Sequence, residues 1–126
     1  MQEDLKATGK VYFYKNNVLV KTSTNIVVSV GKNFIINRMK DVTQNVMSHM
    51  AIGSGQIYQN IANTSLVAEL ARVALTSTTC VGNTITYEAT FLAGVGTGSV
   101  HECAIFNAGS GGTMLARTTF DQIDKA

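Results

Sequence analysis

The sequence predicts a mainly β fold: an antiparallel β-sandwich or a partly open, jelly-roll-like barrel, with one short α-helix near residues 32–41. Three observations support this prediction. Short runs of β-branched and aromatic residues are separated by turns rich in Gly and Asn. Residues 84–92 alternate apolar and polar side chains, which is typical of a strand with one buried face. Helical spacing of apolar residues occurs mainly after Gly31.

The predicted strands form two hairpins and several single runs. The first hairpin turns at Asn16 and Asn17, because Asn tolerates the positive φ of a tight turn. The second turns at residues 81–83. On its returning strand, the side chains expected to face inward are those of Ile85, Tyr87, Ala89 and Phe91. The strands are predicted at 9–14, 18–23, 25–30, 49–53, 72–79, 84–92, 100–106 and 113–120.

The predicted helix follows a break at Gly31. Ile35, Met39, Val42 and Val46 recur at helical spacing and indicate one apolar face. A single helical turn is predicted at 66–70, after a polar loop at 56–65.

Composition predicts one domain with a covered surface. The 126 residues suit a flexible N-terminal arm at 1–8 and a single β-rich structural domain at 9–126. Hydrophobic residues make up 45% of the chain and charged residues only 14%. Because the centres of protein interfaces are depleted of charge, this composition is consistent with a surface largely covered by other protein. It is equally consistent with a Thr-rich β protein that is simply weakly charged.

Charge and hydropathy argue against two classes of partner. The net charge is +2 and the basic residues are scattered, so no nucleic-acid surface is indicated. No apolar run approaches the roughly 18 residues of a membrane span, and residues 1–9 lack an apolar signal core. We therefore expect folding in a cytoplasm, where Cys80 and Cys103 stay free, half-buried core residues.

Catalytic and metal-binding patterns are weak. No Lys-Ser or Lys-Thr pair follows a glycine run, and no nucleophile elbow occurs. His49 and His101 could share a metal with Glu102 or Asp121, but nothing fixes them at ligand spacing. The sequence therefore predicts no enzyme, metal or cofactor.

The two carboxylates inside apolar runs have structural interpretations. Glu69 lies three residues before Arg72, so the two are expected to form an ion pair that is at least half buried. Glu102 is expected to cap a loop or to meet Arg117.

Five motifs occur in a distinctive order along the chain. They are MAIGSG at 50–55, TSLVAELAR at 64–72, GNTITY at 82–87, ECAIFN at 102–107 and GGTMLAR at 111–117. Together they resemble a family of small structural proteins of tailed bacteriophages, over roughly residues 25–120. Members of that family are virion components: capsid decoration (cement) proteins and related modules of tail fibres and collars.

The resemblance implies roles in the fold and no catalytic residues. Leu66 is expected to pack in the core. Positive φ or close chain approach is expected at Gly53, Gly55, Gly111 and Gly112. Cys103 departs from the family, which often has Ala or Gly there. Relatives often continue past Ala126 with a further strand, so 113–120 is a possible sheet edge here. The structural motif residues are Gly53, Gly55, Leu66, Glu69, Arg72, Glu102, Phe106, Gly111, Gly112, Leu115 and Arg117.

The resemblance implies a capsid cement protein that binds the outside of the major capsid lattice and stabilises it. We expect a homotrimer at local three-fold positions, assembled in the host cytoplasm and located in the virion, with the major capsid protein as partner. A tail-fibre, collar or baseplate module is one alternative. A carbohydrate-binding module is another. It would need an exposed aromatic platform, for which Tyr58 and the Tyr12/Tyr14 pair are the candidates.

Overall fold

The protein is a mainly antiparallel β structure with one short helix in the part that the computed structural model describes, residues 6–41 and 43–126. The predicted fold class is thereby confirmed. A six-stranded sheet has the order β1-β2-β8-β7-β3-β4, and β5 and β6 form a separate two-stranded sheet; neither closes into a barrel. The elements are β1 (Thr8–Lys15), β2 (Val18–Val27), α1 (Ser29–Met39), β3 (His49–Gly53), β4 (Glu69–Ala74), β5 (Ser77–Val81), β6 (Thr84–Glu88), β7 (Gly98–Phe106) and β8 (Met114–Lys125).

The N-terminal hairpin forms at the predicted turn. Asn16 and Asn17 have φ values of 50° and 65°, the left-handed conformation that a tight two-residue turn requires. The separate third strand predicted at 25–30 is wrong, because β2 continues to Val27 and its ladder with β1 reaches the pair Thr8↔Ile26. Thr8, the last residue of the predicted arm, therefore belongs to β1, while residues 1–5 lie outside the described residues.

Helix α1 begins earlier than predicted. Gly31, expected to break the chain, lies buried inside the helix, where an added Cβ would meet the backbone carbonyl of Leu115. Gly31 thus marks the close approach of α1 to β8. The apolar face predicted for this helix is wrong at Met39, which is 77% exposed within α1, and at Val46, which is exposed outside α1. Val42 lies outside the described residues. The helix ends because Asp41 adopts a φ of 65°.

The predicted strand at 72–79 is divided between the two sheets. Strand β4 ends in the large sheet, and β5 begins the small one three residues later. The predicted alternation holds for Tyr87, Ala89 and Phe91, which are half-buried, whereas Thr86, Glu88 and Thr90 are exposed. Ile85 was predicted to face inward but is 48% exposed, because the small hairpin is only partly covered.

Strand β4 replaces the helical turn predicted at 66–70, which is wrong. The ladder with β3 pairs Gly53↔Glu69 and Ile52↔Ala71, so the intervening residue forms a bulge. This bulge places Glu69 and Arg72 on the same face, because their partners in β3 are two residues apart.

Strand β8 is longer and more central than predicted. It continues past Phe120, where the predicted strand ended, to Lys125, which pairs with Gly98 of β7. It also pairs with β2, so 113–120 is not a sheet edge and that prediction is wrong. In the described part of the chain, the edges of the large sheet are β1 and β4.

The core consists of two apolar clusters. Leu66, 7% exposed, packs in the first cluster as predicted, and Cys103, 3% exposed, lies in the second. Cys80 was expected to be half-buried, but it is exposed on the small hairpin. No helix in the described residues is both long enough and apolar enough to cross a membrane. The first cluster comprises Val28, Ala51, Leu66, Ala104, Phe106 and Met114.

Candidate functional site

The most elaborate polar arrangement in the molecule is a fully buried ion pair. Glu102 on β7 and Arg117 on β8 have side chains that are 0% exposed. The guanidinium donates to Glu102 Oε1 from Nη2 at 2.9 Å and from Nε at 3.1 Å. Burial of two charges costs free energy unless their remaining hydrogen-bonding capacity is also used. The contribution of this pair to stability therefore depends on its other hydrogen-bond partners.

The Glu102 carboxylate also caps a loop. It accepts hydrogen bonds from the backbone amides of Gly55 and Ala68 at 2.8 Å and of Val67 at 2.9 Å. The two roles considered from the sequence, loop cap and partner of Arg117, therefore occur together. Because the three amides belong to both ends of the segment 54–68, the carboxylate joins these ends over the sheet.

Arg117 holds the middle of the same segment. Its Nη2 donates to the Ile57 carbonyl at 2.8 Å, and its Nη1 donates to Asn63 Oδ1 at 3.1 Å. The guanidinium is therefore paired on several sides inside the protein. The ion pair fixes a long irregular segment to the regular sheet beneath it.

Two motif glycines make room for this network. An ideal Cβ on Gly53 or Gly55 would lie 2.5 Å from Glu102 Oε2, closer than real Cβ contacts allow. Any side chain at either position would displace the carboxylate from its amide donors. The requirement for glycine here is therefore close approach, and neither residue needs a positive φ.

A second cluster surrounds Arg72. Its Nη2 lies 2.8 Å from Glu69 Oε1, and the two side chains are 8% and 36% exposed, so the predicted half-buried ion pair forms. Arg72 Nη1 also donates to the carbonyls of Ala108 at 3.0 Å and Gly111 at 2.8 Å. The guanidinium lies 3.7 Å above the ring of Phe106. This cluster therefore holds the link between β7 and β8 against the edge strand.

The remaining motif residues support these two clusters. Gly111 and Gly112 have φ values of 61° and 75°, which favour glycine. Phe106 is 1% exposed in the first core cluster. The carbonyl of Leu115 accepts a hydrogen bond from the Val28 amide at 3.2 Å, next to the close contact with Gly31.

Sequence reasoning missed the polar side chains that complete the loop. Gln59 Nε2 donates to the Thr24 carbonyl at 3.0 Å, and Gln59 Oε1 accepts from the Thr119 amide at 2.7 Å. Asn63 accepts from Arg117. Isolated Gln and Asn residues in a polar loop have no spacing that would distinguish them from solvated ones.

The surface of the described residues also has depressions. A cleft of about 350 Å³ lies against residues 119–122 of β8. A larger apolar groove of about 600 Å³ separates α1 from the β5–β6 hairpin. The cleft is lined by Gln56, Tyr58, His101, Thr119, Phe120, Asp121 and Gln122.

The four metal ligands considered from the sequence do not form one cluster, although His101 and Asp121 both line the cleft. Within residues 6–41 and 43–126, no group of three or more His, Cys, Asp or Glu side chains is placed to hold an ion. His49 Nδ1 instead lies 2.7 Å from the hydroxyl of Ser48. Burial raises the pKa of the Cys103 thiol to about 12, so this thiol remains protonated at neutral pH.

Comparisons with known proteins found no matching family model, curated protein or solved structure.

Proposed function

We propose that this protein is a non-enzymatic structural component of a tailed-bacteriophage particle, a capsid cement protein that binds the outside of the major capsid lattice and stabilises it. The particle assignment comes from the ordered motifs that resemble the phage structural family. The exposed apolar side chains and the outer strands of the large sheet support a function in binding other protein subunits.

The observation that carries the proposal is the large amount of apolar surface exposed on the chain. The β1–β2 hairpin alone exposes five large apolar side chains by 47–64%: Tyr12, Tyr14, Val18, Leu19 and Val20. Contiguous exposed apolar patches larger than a few hundred Å² mark interaction sites on soluble proteins. With only 14% charged residues, the chain has the surface expected of a subunit that is covered in an assembly.

The open sheet edges support contacts between subunits. Strands β1 and β4 lie at opposite ends of the six-stranded sheet, and in the described residues neither has a neighbouring strand on its outer side. Open edges pair readily with other strands, and natural proteins usually cover or blunt them. A homotrimer joined through these edges or the loops between them would cover both.

The rigid loop supports a role in binding without large rearrangement. Residues Ile57 and Ile61, exposed by 67% and 53%, are presented on a segment that the buried ion pair fixes to the sheet. Prior ordering of a contact surface lowers the entropy lost on binding. A cement protein gains from this because it must bind many equivalent lattice positions.

A binding experiment with capsid shells tests the proposal. Purified protein added to shells that lack it should bind expanded, mature shells in preference to unexpanded precursors, because the lattice sites form only on expansion. Binding should depend modestly on salt, since few charges are available to the interface. Equal binding to both shell forms, or binding to isolated tails instead, would contradict the cement assignment.

A further inference from the structure

The cleft beside β8 lies where the ladder between β7 and β8 changes register. One residue of β7, His101, lies opposite the three residues 120–122 of β8. These residues line the cleft, and the loop residues Gln56 and Tyr58 line it as well. The resulting cleft of about 350 Å³ lies in the size range of small-ligand sites, roughly 300–1,000 Å³.

Tyr58 is an exposed ring on a fixed backbone. Its side chain is 76% exposed. On one side, the Ile57 carbonyl accepts a hydrogen bond from buried Arg117 at 2.8 Å. On the other side, the Gln59 side chain bonds to Thr24 and Thr119. The loop therefore holds the ring at the cleft without burying it, which is the arrangement expected of a preorganised binding surface.

The polar lining selects the class of ligand. The amides of Gln56 and Gln122 can each donate and accept hydrogen bonds, the Asp121 carboxylate accepts, and His101 adds a ring nitrogen. Among the described residues, neither Lys nor Arg lines the cleft, so an anionic ligand would have no permanent cation to bind there. A wholly apolar ligand would leave these polar groups without partners, at a cost in free energy.

We propose that this cleft binds a neutral oligosaccharide. A pyranose ring has a C–H face that packs on an aromatic ring and hydroxyls that both donate and accept hydrogen bonds. Tyr58 supplies the aromatic face, and Gln56, Asp121 and Gln122 supply partners for the hydroxyls. Tyr12 and Tyr14, the other aromatic candidates, do not line the cleft. This site is independent of the proposed capsid role.

Calorimetric titration with three neutral hexasaccharides, cellohexaose, maltohexaose and chitohexaose, tests the proposal. At least one should bind the intact protein. Tyr58→Ala should weaken that binding at least tenfold, and Tyr58→Phe should largely retain it because the ring remains. Tyr14→Ala is the matched control, since Tyr14 is 64% exposed but lies outside the cleft, and it should change affinity less than twofold.

Three results would overturn the proposal. They are failure of all three sugars to bind at millimolar concentration, unchanged binding by Tyr58→Ala, and an equal loss in Tyr14→Ala. If no sugar binds and Tyr58→Ala instead weakens attachment to capsid shells, the cleft is a protein contact and the saccharide proposal fails. Equal melting temperatures of the variants would show that the fold is intact. None of these results bears on the abundance of the protein in particles.

Discussion

At the scale of single residues, the Glu102–Arg117 pair couples irregular chain to regular sheet. A buried ion pair often contributes little net stability relative to an apolar replacement, because desolvation offsets the attraction. Here the carboxylate also accepts three backbone amides, and the guanidinium reaches Asn63 and Ile57. The pair therefore holds segment 54–68 in one conformation.

Removing one partner of this pair should be costly. Glu102→Gln leaves the Arg117 charge buried without a counter-ion, so we expect the free energy of unfolding to fall by about 3–5 kcal/mol. The double variant Glu102→Gln/Arg117→Met should lose less than the sum of the two single variants, since no charge is left unpaired. Urea denaturation measures all three. Strictly additive losses would show that the two side chains are not coupled.

The Glu69–Arg72 pair should contribute less, because Glu69 is partly solvated. Glu69→Ala removes the carboxylate that pairs with Arg72, whose side chain is only 8% exposed. The hydrogen bonds from Arg72 to the carbonyls of Ala108 and Gly111 remain. We expect stability to fall by more than about 1 kcal/mol. The exposed Glu88→Ala is the control and should have little effect. An unchanged melting temperature for Glu69→Ala would assign the pair to the solvated surface.

At the scale of elements, features set by the local sequence were predicted better than features set by contacts distant in sequence. Strand β3 was predicted at its observed bounds, and the Asn16–Asn17 turn was found from side-chain chemistry alone. The start of α1 was missed because a glycine needed for close packing on β8 has the same sequence signal as a glycine that ends an element. Nothing near Gly31 in the sequence indicates that Leu115 packs against it.

The bounds of the later strands depended on partners distant in sequence. The segment after Phe120 was not included in the predicted strand, since it is short and polar. It is a strand because β7 supplies a ladder partner for it, in the pair Gly98↔Lys125. For the candidate site, the charged pairs were predictable from residue type, whereas Gln59 and Asn63 were not, since their roles depend on how the loop folds back.

The close packing of α1 on β8 should reverse the usual effect of a Gly→Ala substitution on the stability of a helix. Replacing Gly by Ala within a helix ordinarily stabilises it by about 0.5–1 kcal/mol. Gly31→Ala should instead destabilise the protein by about 1–3 kcal/mol, because the new methyl group would meet the backbone of β8. Thermal unfolding of Gly31→Ala beside the exposed helix variant Lys32→Ala measures the difference. A stabilised Gly31→Ala variant would show that the two elements are not in close contact.

At the scale of the whole molecule, exposed apolar surface and open edges both favour assembly. Homo-oligomers usually close by symmetry, and closure would cover the β1 and β4 edges, which have no outer neighbour among the described residues. We expect a trimer in the particle. Light scattering of the purified protein and a density map of the particle measure this. A monomer in solution together with isolated single copies on the particle would contradict it.

The proposed cement function is tested most directly by the copy number of the protein in purified particles. A protein that covers a lattice must increase in number with the subunits of that lattice, whereas a fibre or baseplate protein follows the symmetry of a single tail. Quantitative mass spectrometry of intact particles measures the ratio to the major capsid protein. We predict an abundance close to that of the major capsid protein. A handful of copies per particle, co-purifying with detached tails, would contradict it and assign the protein to the tail.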